Sequence, residues 1–571
     1  MGDRQAEWIR VPVDEGELTR WATRGRCRRV LFVVHNVTSS TRLLDVIPLF
    51  RGDFRIQMLA TCTGSSPFQY GVARLLERMG LPVLPWEQAL ATSVDLAISA
   101  SFGGQLDRIS GQLVVLSHGV GYNKKLAVAG SPDHHAFGLS PQWLLGPRGS
   151  PVADAIVLSH PEQAERLRRA CPDAAHTAVV AGDPCFDRML AALPYRDRYR
   201  RTLDVRRGQR LVVLNSTWNP ESLAGDAGDD VLPALLARLT SELPVDEYRL
   251  AAVLHPNIWN GHGPGQVRSW MDRACRAGLT VVDPLTAWRQ TLIAADLVIG
   301  DFGSVTYYAA ALGIPVLLGT AGLDNLSAAS PVADFVRRAP VLDPYGDLGK
   351  QLERAVTEHR PLPGPAELTT SVPGQAAALL RALFYEAIGT AEPDDPAGLH
   401  PLELPPYQPP ARTAPLRVIT RVSAAAEVVV TRFADPDYEP AGDGAVHTVV
   451  HEDTFDRGQL QVADLIHRLG DPSDVRFGSP EEWTAEVLRR HPYCALAVYV
   501  TGPGACTIRT RAGDVLRLTA EQRAADPVAF ASAVHARLAG SATVDDLVAG
   551  GLSVRTGRTA HRAAVTRPPS R

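Results

Sequence analysis

Short runs rich in valine, isoleucine and leucine, separated by longer stretches of helical periodicity, constrain this chain more than any other feature of its sequence. RRVLFVVHN, FRIQMLA, LPVLPW, VDLAISA, QLVVLSHG, ADAIVLSH and HTAVVAG are too short for stable helices and read as strands buried on both faces. Between them lie segments such as YGVARLLERMG, with apolar residues at helical spacing. A second series starts near residue 208 with QRLVVLNST, YRLAAVLHP, LTVVDP, ADLVIGD and IPVLLGT. Strand–helix alternation of this kind gives a parallel sheet covered on both faces. Two series in tandem predict two facing Rossmann-like domains, 1–200 and 201–390, joined within 195–207.

The stretch 391–415 is proline-rich and reads as a semi-extended linker. Beyond it, LRVITRV, AEVVVTRF, AVHTVVHE and YCALAVYVTG, mixed with helical segments, predict an α+β domain over 416–557. The basic, proline-containing end, 558–571, reads as a disordered tail.

With 571 residues the chain has material for several domains of about 100–200 residues each. A formal charge of -4 argues against a nucleic-acid partner. The first twenty residues mix charges of both signs without an apolar core, and no run is long enough to span a bilayer. These features predict a cytoplasmic protein. Seven scattered cysteines without a CxxC pair fit reduced thiols. Basic charge is almost all arginine: the only lysines are Lys124, Lys125 and Lys350, two of them adjacent.

Ligands of open α/β sheets bind beyond the carboxyl ends of the strands, so the residues there carry the functional reading. ADLVIGDFGSVTYYAAALGIPVLLGT (295–320) ends a strand at Gly300, turns through DFGS and enters a helix. Free N–H groups at Gly303 and Ser304 would make an anion site there, unless Asp301 or Ser304 simply caps the helix. In AAVLHPN, His255 ends a strand; it can donate to a phosphoryl oxygen or serve as a structural cap. In VVLSHGVGYNKK, His118 is a candidate base beside Gly119, with Lys124 and Lys125 to attract charge; a solvated surface loop is the alternative.

Thr217 in VVLNSTWNP, and Gly182, Asp183, Pro184 and Asp187 in VVAGDPCFDRML, are further candidate contacts; packing suits Trp218 and turn formation suits Asp183–Pro184. The loop HNVTSSTRLLD (35–45) would contact an acceptor or cap its helix through Ser39 or Ser40. The adjacent His134 and His135 point apart and make a poor metal pair. HExxH, Walker A and GxSxG motifs are absent, as is GxGxxG in the first βα turn, which argues against an ordinary dinucleotide-dependent oxidoreductase.

In order, His118–Gly119 with Lys124 and Lys125, Gly182-Asp183-Pro184 with Asp187, Ser216-Thr217-Trp218, His255–Pro256, and Asp301-Phe302-Gly303-Ser304-Val305 resemble the motifs of the CDP-glycerol glycerophosphotransferases. These are the teichoic-acid primases and polymerases. The resemblance covers about residues 110–320 and departs from the family at Asn219, where Arg is usual, and at Gly303, which replaces a serine. It implies a GT-B fold and transfer of a polyol phosphate from a CDP-linked donor to an acceptor hydroxyl. His118 would be the base and His255 would stabilise the pyrophosphate. Asp301, Gly303, Ser304 and Thr217 would hold phosphate, and Gly119, Lys124 and Lys125 would serve the acceptor side.

No cofactor or metal is implied. The implied partners are a nucleotide-activated donor and a glycan, polyol or lipid-linked acceptor, with peripheral contact at the inner face of the membrane. A nucleotide-sugar glycosyltransferase and a non-catalytic scaffold are the alternatives.

Overall fold

The computed structural model describes residues 8–13, 21–125, 136–439, 443–522 and 525–568. His134 and His135 lie outside these. Seven parallel strands form the first sheet: β1 (Arg28–Val34), β2 (Ile56–Cys62), β3 (Val83–Leu84), β4 (Leu96–Ser99), β5 (Gln112–Leu116), β6 (Ala155–Leu158) and β7 (Ala178–Val180). Their order is β3-β2-β1-β4-β5-β6-β7. The apolar runs are continuous because both faces are covered: Val30, Phe32 and Val34 enter one core, while Leu31 and Val33 enter the other.

A second parallel sheet, ordered β10-β9-β8-β11-β12, contains β8 (Arg210–Ser216), β9 (Tyr248–Leu254), β10 (Thr280–Val281), β11 (Leu297–Gly300) and β12 (Val316–Leu318). The same logic holds, with Leu211 and Val213 on one face and Val212 and Leu214 on the other. Both are Rossmann-like sheets. In each, the chain moves outward from one strand and then jumps to its other side, between β1 and β4 and between β8 and β11. Such reversals open a crevice at the carboxyl ends.

Helix Ala376–Ile388 follows the second sheet in sequence yet packs on the first, contrary to its grouping within 201–390. Its Phe384 stacks on Phe50 at 5.5 Å, and the Tyr385 hydroxyl donates to Asp53 at 2.9 Å. The segment 391–412 has no regular structure and is tied down along its length: Arg188 donates to the carbonyl of His400, Gln290 to that of Glu403, and Gln408 N–H to Thr202.

The region expected to be α+β is a closed nine-stranded barrel with helices. It comprises β13 (Leu416–Val422), β14 (Val428–Phe433), β15 (Ala445–His451), β16 (Leu465–Leu469), β17 (Leu496–Gly502), β18 (Ala505–Thr510), β19 (Val515–Ala520), β20 (Leu552–Thr556) and β21 (Thr559–Thr566). The last strand corrects the expected disordered tail. His561, Ala563 and Val565 face inward while their neighbours face out, and this alternation lets β21 pair with both β19 and β20. Helix Pro527–Ala539 packs against the inward face of the barrel; residues 527–534 are all buried, as expected of a helix apolar around its circumference. Arg432 ties the barrel to the second sheet's unit, donating to both oxygens of Asp246 at 3.0 and 2.6 Å and to Asp526 at 2.7 Å.

Candidate functional site

Loops from the carboxyl ends of both sheets meet. Residues 119–125, after β5, touch the segment after β12: Lys125 N–H donates to Asn325 at 2.9 Å and Ser327 N–H to Asn123 at 2.8 Å. Gly119 lies against Ser304, the first residue of helix Ser304–Ala311; a Cβ on Gly119 would stand 2.7 Å from the Ser304 hydroxyl. Val120 N–H donates to that hydroxyl at 3.3 Å. Glycine at 119 is therefore what permits this approach.

The two histidines have their ring nitrogens differentiated. The His118 Nδ1 lies 3.0 Å from the Ala100 carbonyl in a part-buried contact. A carbonyl can only accept, so Nδ1 carries the proton and Nε2 is left as an acceptor. His255 is the reverse. Its Nδ1 accepts from Asn257 N–H at 3.1 Å, capping helix Pro256–His262, so in the neutral ring Nε2 bears the proton. Desolvation by the surrounding protein lowers the His118 pKa to about 4, with the charges of Arg42, His35 and Lys124 acting in the same sense. Desolvation also holds His255 well below its ordinary value, helped by Lys124 and His118. Both rings are neutral at pH 7, one offering a lone pair and the other a proton.

Lys124 joins the two units. Its Nζ donates to Thr217 Oγ1 at 2.8 Å and lies 5.7 Å from the Trp218 ring and 5.4 Å from the Phe302 ring. Desolvation brings its pKa down to about 8 against the pull of the Asp301 and Glu221 carboxylates. Lys125, expected beside it, belongs to the same extended segment and so projects the opposite way.

Two expectations for the DFGS turn are corrected. The Gly303 N–H is not free: it donates to Asp301 Oδ1 at 2.9 Å. Asp301 is itself fully buried and is occupied as an acceptor, its Oδ2 taking Thr217 N–H at 2.8 Å, Leu223 N–H at 3.1 Å and the Ser216 hydroxyl at 3.1 Å. It braces the loops after β8 and β11 instead of touching an anion. Burial pushes its carboxyl pKa up, and these amides and Lys124 pull it back. The glycine has a steric role, since a Cβ at 303 would lie 3.0 Å from Asp301 Oδ1 and 3.1 Å from Thr217 Cβ. What remains for an anion is the start of the helix at Ser304, with its dipole and hydroxyl.

Two carboxylates after β7 hold backbone N–H groups in place. Asp183 caps helix Pro184–Ala192 through Cys185 and Phe186 N–H, and Asp187 accepts from Gly374 and Ala376 N–H at 2.7 and 2.9 Å. Asn36, with Ser39 completing a capping box, caps helix Val37–Val46; neither Ser39 nor Ser40 is its N-cap. Trp218, expected to be packed away, is 41% exposed beside His255, with Phe68 set edge-on at 5.1 Å. Sequence reading missed Phe68 and the buried Arg42. Neither ends a strand, so only the assembled crevice brings them in. Among the described residues, no cluster of His, Cys, Asp and Glu is placed to hold a metal ion, and no helix is long and apolar enough to cross a membrane.

No protein-family model matches the chain, and no curated protein does. Among solved structures, a variant of the wall teichoic acid polymerase TagF overlays at 14% identity and TM-score 0.43, over 63% of this chain and 89% of that one. Anabaena Alr3699/HepE in complex with UDP overlays at 13% identity and TM-score 0.33, over 63% and 99%. A Listeria monocytogenes structure assigned as a UDP-N-acetylglucosamine 2-epimerase overlays at 14% identity and TM-score 0.41, over 65% and 100%. Overlays this loose assign neither a fold nor an activity to this chain.

Proposed function

We propose that the protein is a GT-B-type transferase that binds a nucleotide-diphosphate donor in the cleft between its two Rossmann-like units. The group transferred is a polyol phosphate from a CDP-linked donor, as the motif resemblance implies, and it passes to an acceptor hydroxyl. The observation that carries this reading is the opposed tautomers of His118 and His255, both within the field of Lys124. A hydroxyl at His118 Nε2 meets a lone pair able to take its proton. A phosphoryl oxygen at His255 Nε2 meets an N–H, with the Lys124 charge and the start of helix Ser304–Ala311 nearby. Attack of the hydroxyl on the transferred phosphorus would release the nucleoside monophosphate, its developing charge stabilised by these donors. Catalysis of this kind rests on positioning and preorganised charge. A bound diphosphate would also raise the His118 pKa by opposing the cationic charges that add to desolvation in lowering it.

A thermal-shift panel of CDP, CMP, UDP and GDP tests the reading, since a ligand that binds the folded state raises stability by mass action. Stabilisation by CDP and CMP alone is expected. Stabilisation by UDP or GDP alone would replace the donor with a nucleotide sugar, and no response to any nucleotide would leave a non-catalytic scaffold.

A further inference from the structure

Beside the loop that carries His118, the structure holds a cavity of about 30 Å³ at the carboxyl ends of β5 and β6. Ser117, Ser159 and Asp183 line it together with the apolar Leu116, Val157 and Pro184, and with Arg42 from helix Val37–Val46. Arg42 is only 5% exposed, and its Nη2 donates to the Tyr308 hydroxyl at 2.8 Å. Its Nη1 is buried with no hydrogen-bond partner. The nearest carboxylate oxygens stand 3.6 Å away on Asp45 and 3.9 Å away on Asp183, and both groups are engaged elsewhere. Asp45 accepts from Arg188 and from Arg289, the latter at 2.8 Å. Asp183 accepts from Cys185 N–H at 2.9 Å, Phe186 N–H at 3.1 Å and the Tyr308 hydroxyl at 2.5 Å.

A buried guanidinium N–H without an acceptor is costly, and a charged acceptor is its strongest complement. The hydroxyls in the wall add to the match. Ser159 Oγ accepts from Gln163 Nε2 at 2.8 Å, which leaves its own hydrogen free to donate. Ser117 is held only by long contacts, 3.3 Å to the Gly119 carbonyl and 3.2 Å to that of Gly121, and can turn toward a better acceptor. A cationic donor from a helix and hydroxyls from two strand ends thus line one space.

We infer that this cavity is a subsite for an oxyanion, phosphate or carboxylate, carried by the acceptor and held by Arg42 Nη1 with the hydroxyls of Ser117 and Ser159. The inference rests on the transferase reading above for the word acceptor. It makes the acceptor an anionic molecule whose charged group is anchored in the first unit while its hydroxyl is presented to His118. The donor would be held separately, at His255 and Ser304.

Crystals of the full chain soaked separately in selenate and in bromoacetate test this by anomalous scattering. A selenium peak within hydrogen-bond distance of Arg42 Nη1 is expected for a phosphate-type group, and a bromine peak in the same cavity for a carboxylate. A cavity without a peak in both soaks overturns the inference, as does a peak confined to the Ser304 side. In solution, inorganic phosphate should stabilise the protein, and Arg42→Lys should raise the phosphate concentration needed by about tenfold or more. Arg42 is enclosed by a charge network, so Val157→Ile, which narrows the cavity from β6 without touching that network, is the second variant. It should lose the peak at Arg42 and keep the fold; a retained peak at full occupancy would count against the site. Nucleotide stabilisation with an empty cavity would overturn this inference alone, whereas an ion at Arg42 without nucleotide stabilisation would overturn the transferase reading alone.

Discussion

Two regions of this molecule gather histidines, and they use them differently. At the junction of the two sheets, His118 and His255 each satisfy one ring nitrogen with backbone and leave the other uncommitted beside an ammonium. In the barrel, His447 bonds the Ser532 hydroxyl at 3.0 Å and lies 4.7 Å from the ring of His535, facing the buried helix Pro527–Ala539. Burial lowers the His447 pKa to about 3, and that of His467, which shares the barrel's inward face, to about 3 as well. A depressed imidazole pKa is therefore common to both places and marks neither as functional. What separates them is position: His118 and His255 follow the carboxyl ends of β5 and β9, where loops of the two sheets meet beside Lys124, whereas His447 is held inside the barrel against Ser532.

The sharpest way to break this contrast is to truncate a histidine in each region. His118→Ala and His255→Ala should each lower turnover by about a hundredfold or more, the scale of a lost acid–base group, with the melting temperature little changed. Near-normal turnover in both would remove the proposed mechanism. Next in size is Gly119→Ala, whose methyl group would press on the Ser304 hydroxyl 2.7 Å away. A loss of about tenfold in kcat/KM is expected from the misplaced loops. The same change in a Ser304→Gly background should cost clearly less; an undiminished cost would show that this contact is not the cause.

Lys124 should give a smaller, pH-dependent effect. Its ammonium loses its proton as pH rises through about 8, so donor KM should rise above that pH, while a bound anion pushes the limb upward. Lys124→Arg should flatten the limb, because a guanidinium stays charged throughout. A limb unchanged by that substitution would assign it to another group. The smallest expected effect on activity is that of His447→Ala, which should lower the melting temperature by about 2–4 °C and leave kcat/KM unchanged. A turnover loss there comparable to that of His255→Ala would erase the distinction between the two regions.

The sequence shows the parallel strands plainly because strands buried on both faces must be apolar at every position, as RRVLFVV is. It also points to His118, Thr217 and His255, each within two residues of a strand's carboxyl end, and to Lys124 in the loop after β5. Three things escape such a reading. Whether Lys124 or Lys125 enters the site depends on the phase of an extended segment that pairs only in the assembled fold. Whether the Gly303 N–H is available depends on the Asp301 side chain, which folds back to take it. Arg42 gives no local signal, because its hydrogen-bond partner Tyr308 is 266 residues away in the sequence. The barrel is hidden for a related reason: Thr559–Thr566 looks like a basic tail until its every-second-residue burial is seen against β19 and β20.

The account depends on one pocket being formed by both sheets, and a crystal structure of the full chain with CDP bound measures that directly. The diphosphate should lie between the two units, within hydrogen-bond distance of His255 Nε2 and at the start of helix Ser304–Ala311, with Lys124 Nζ turned toward it. A diphosphate bound away from His255 and Ser304, on the barrel or on the outer face of either sheet, would contradict it.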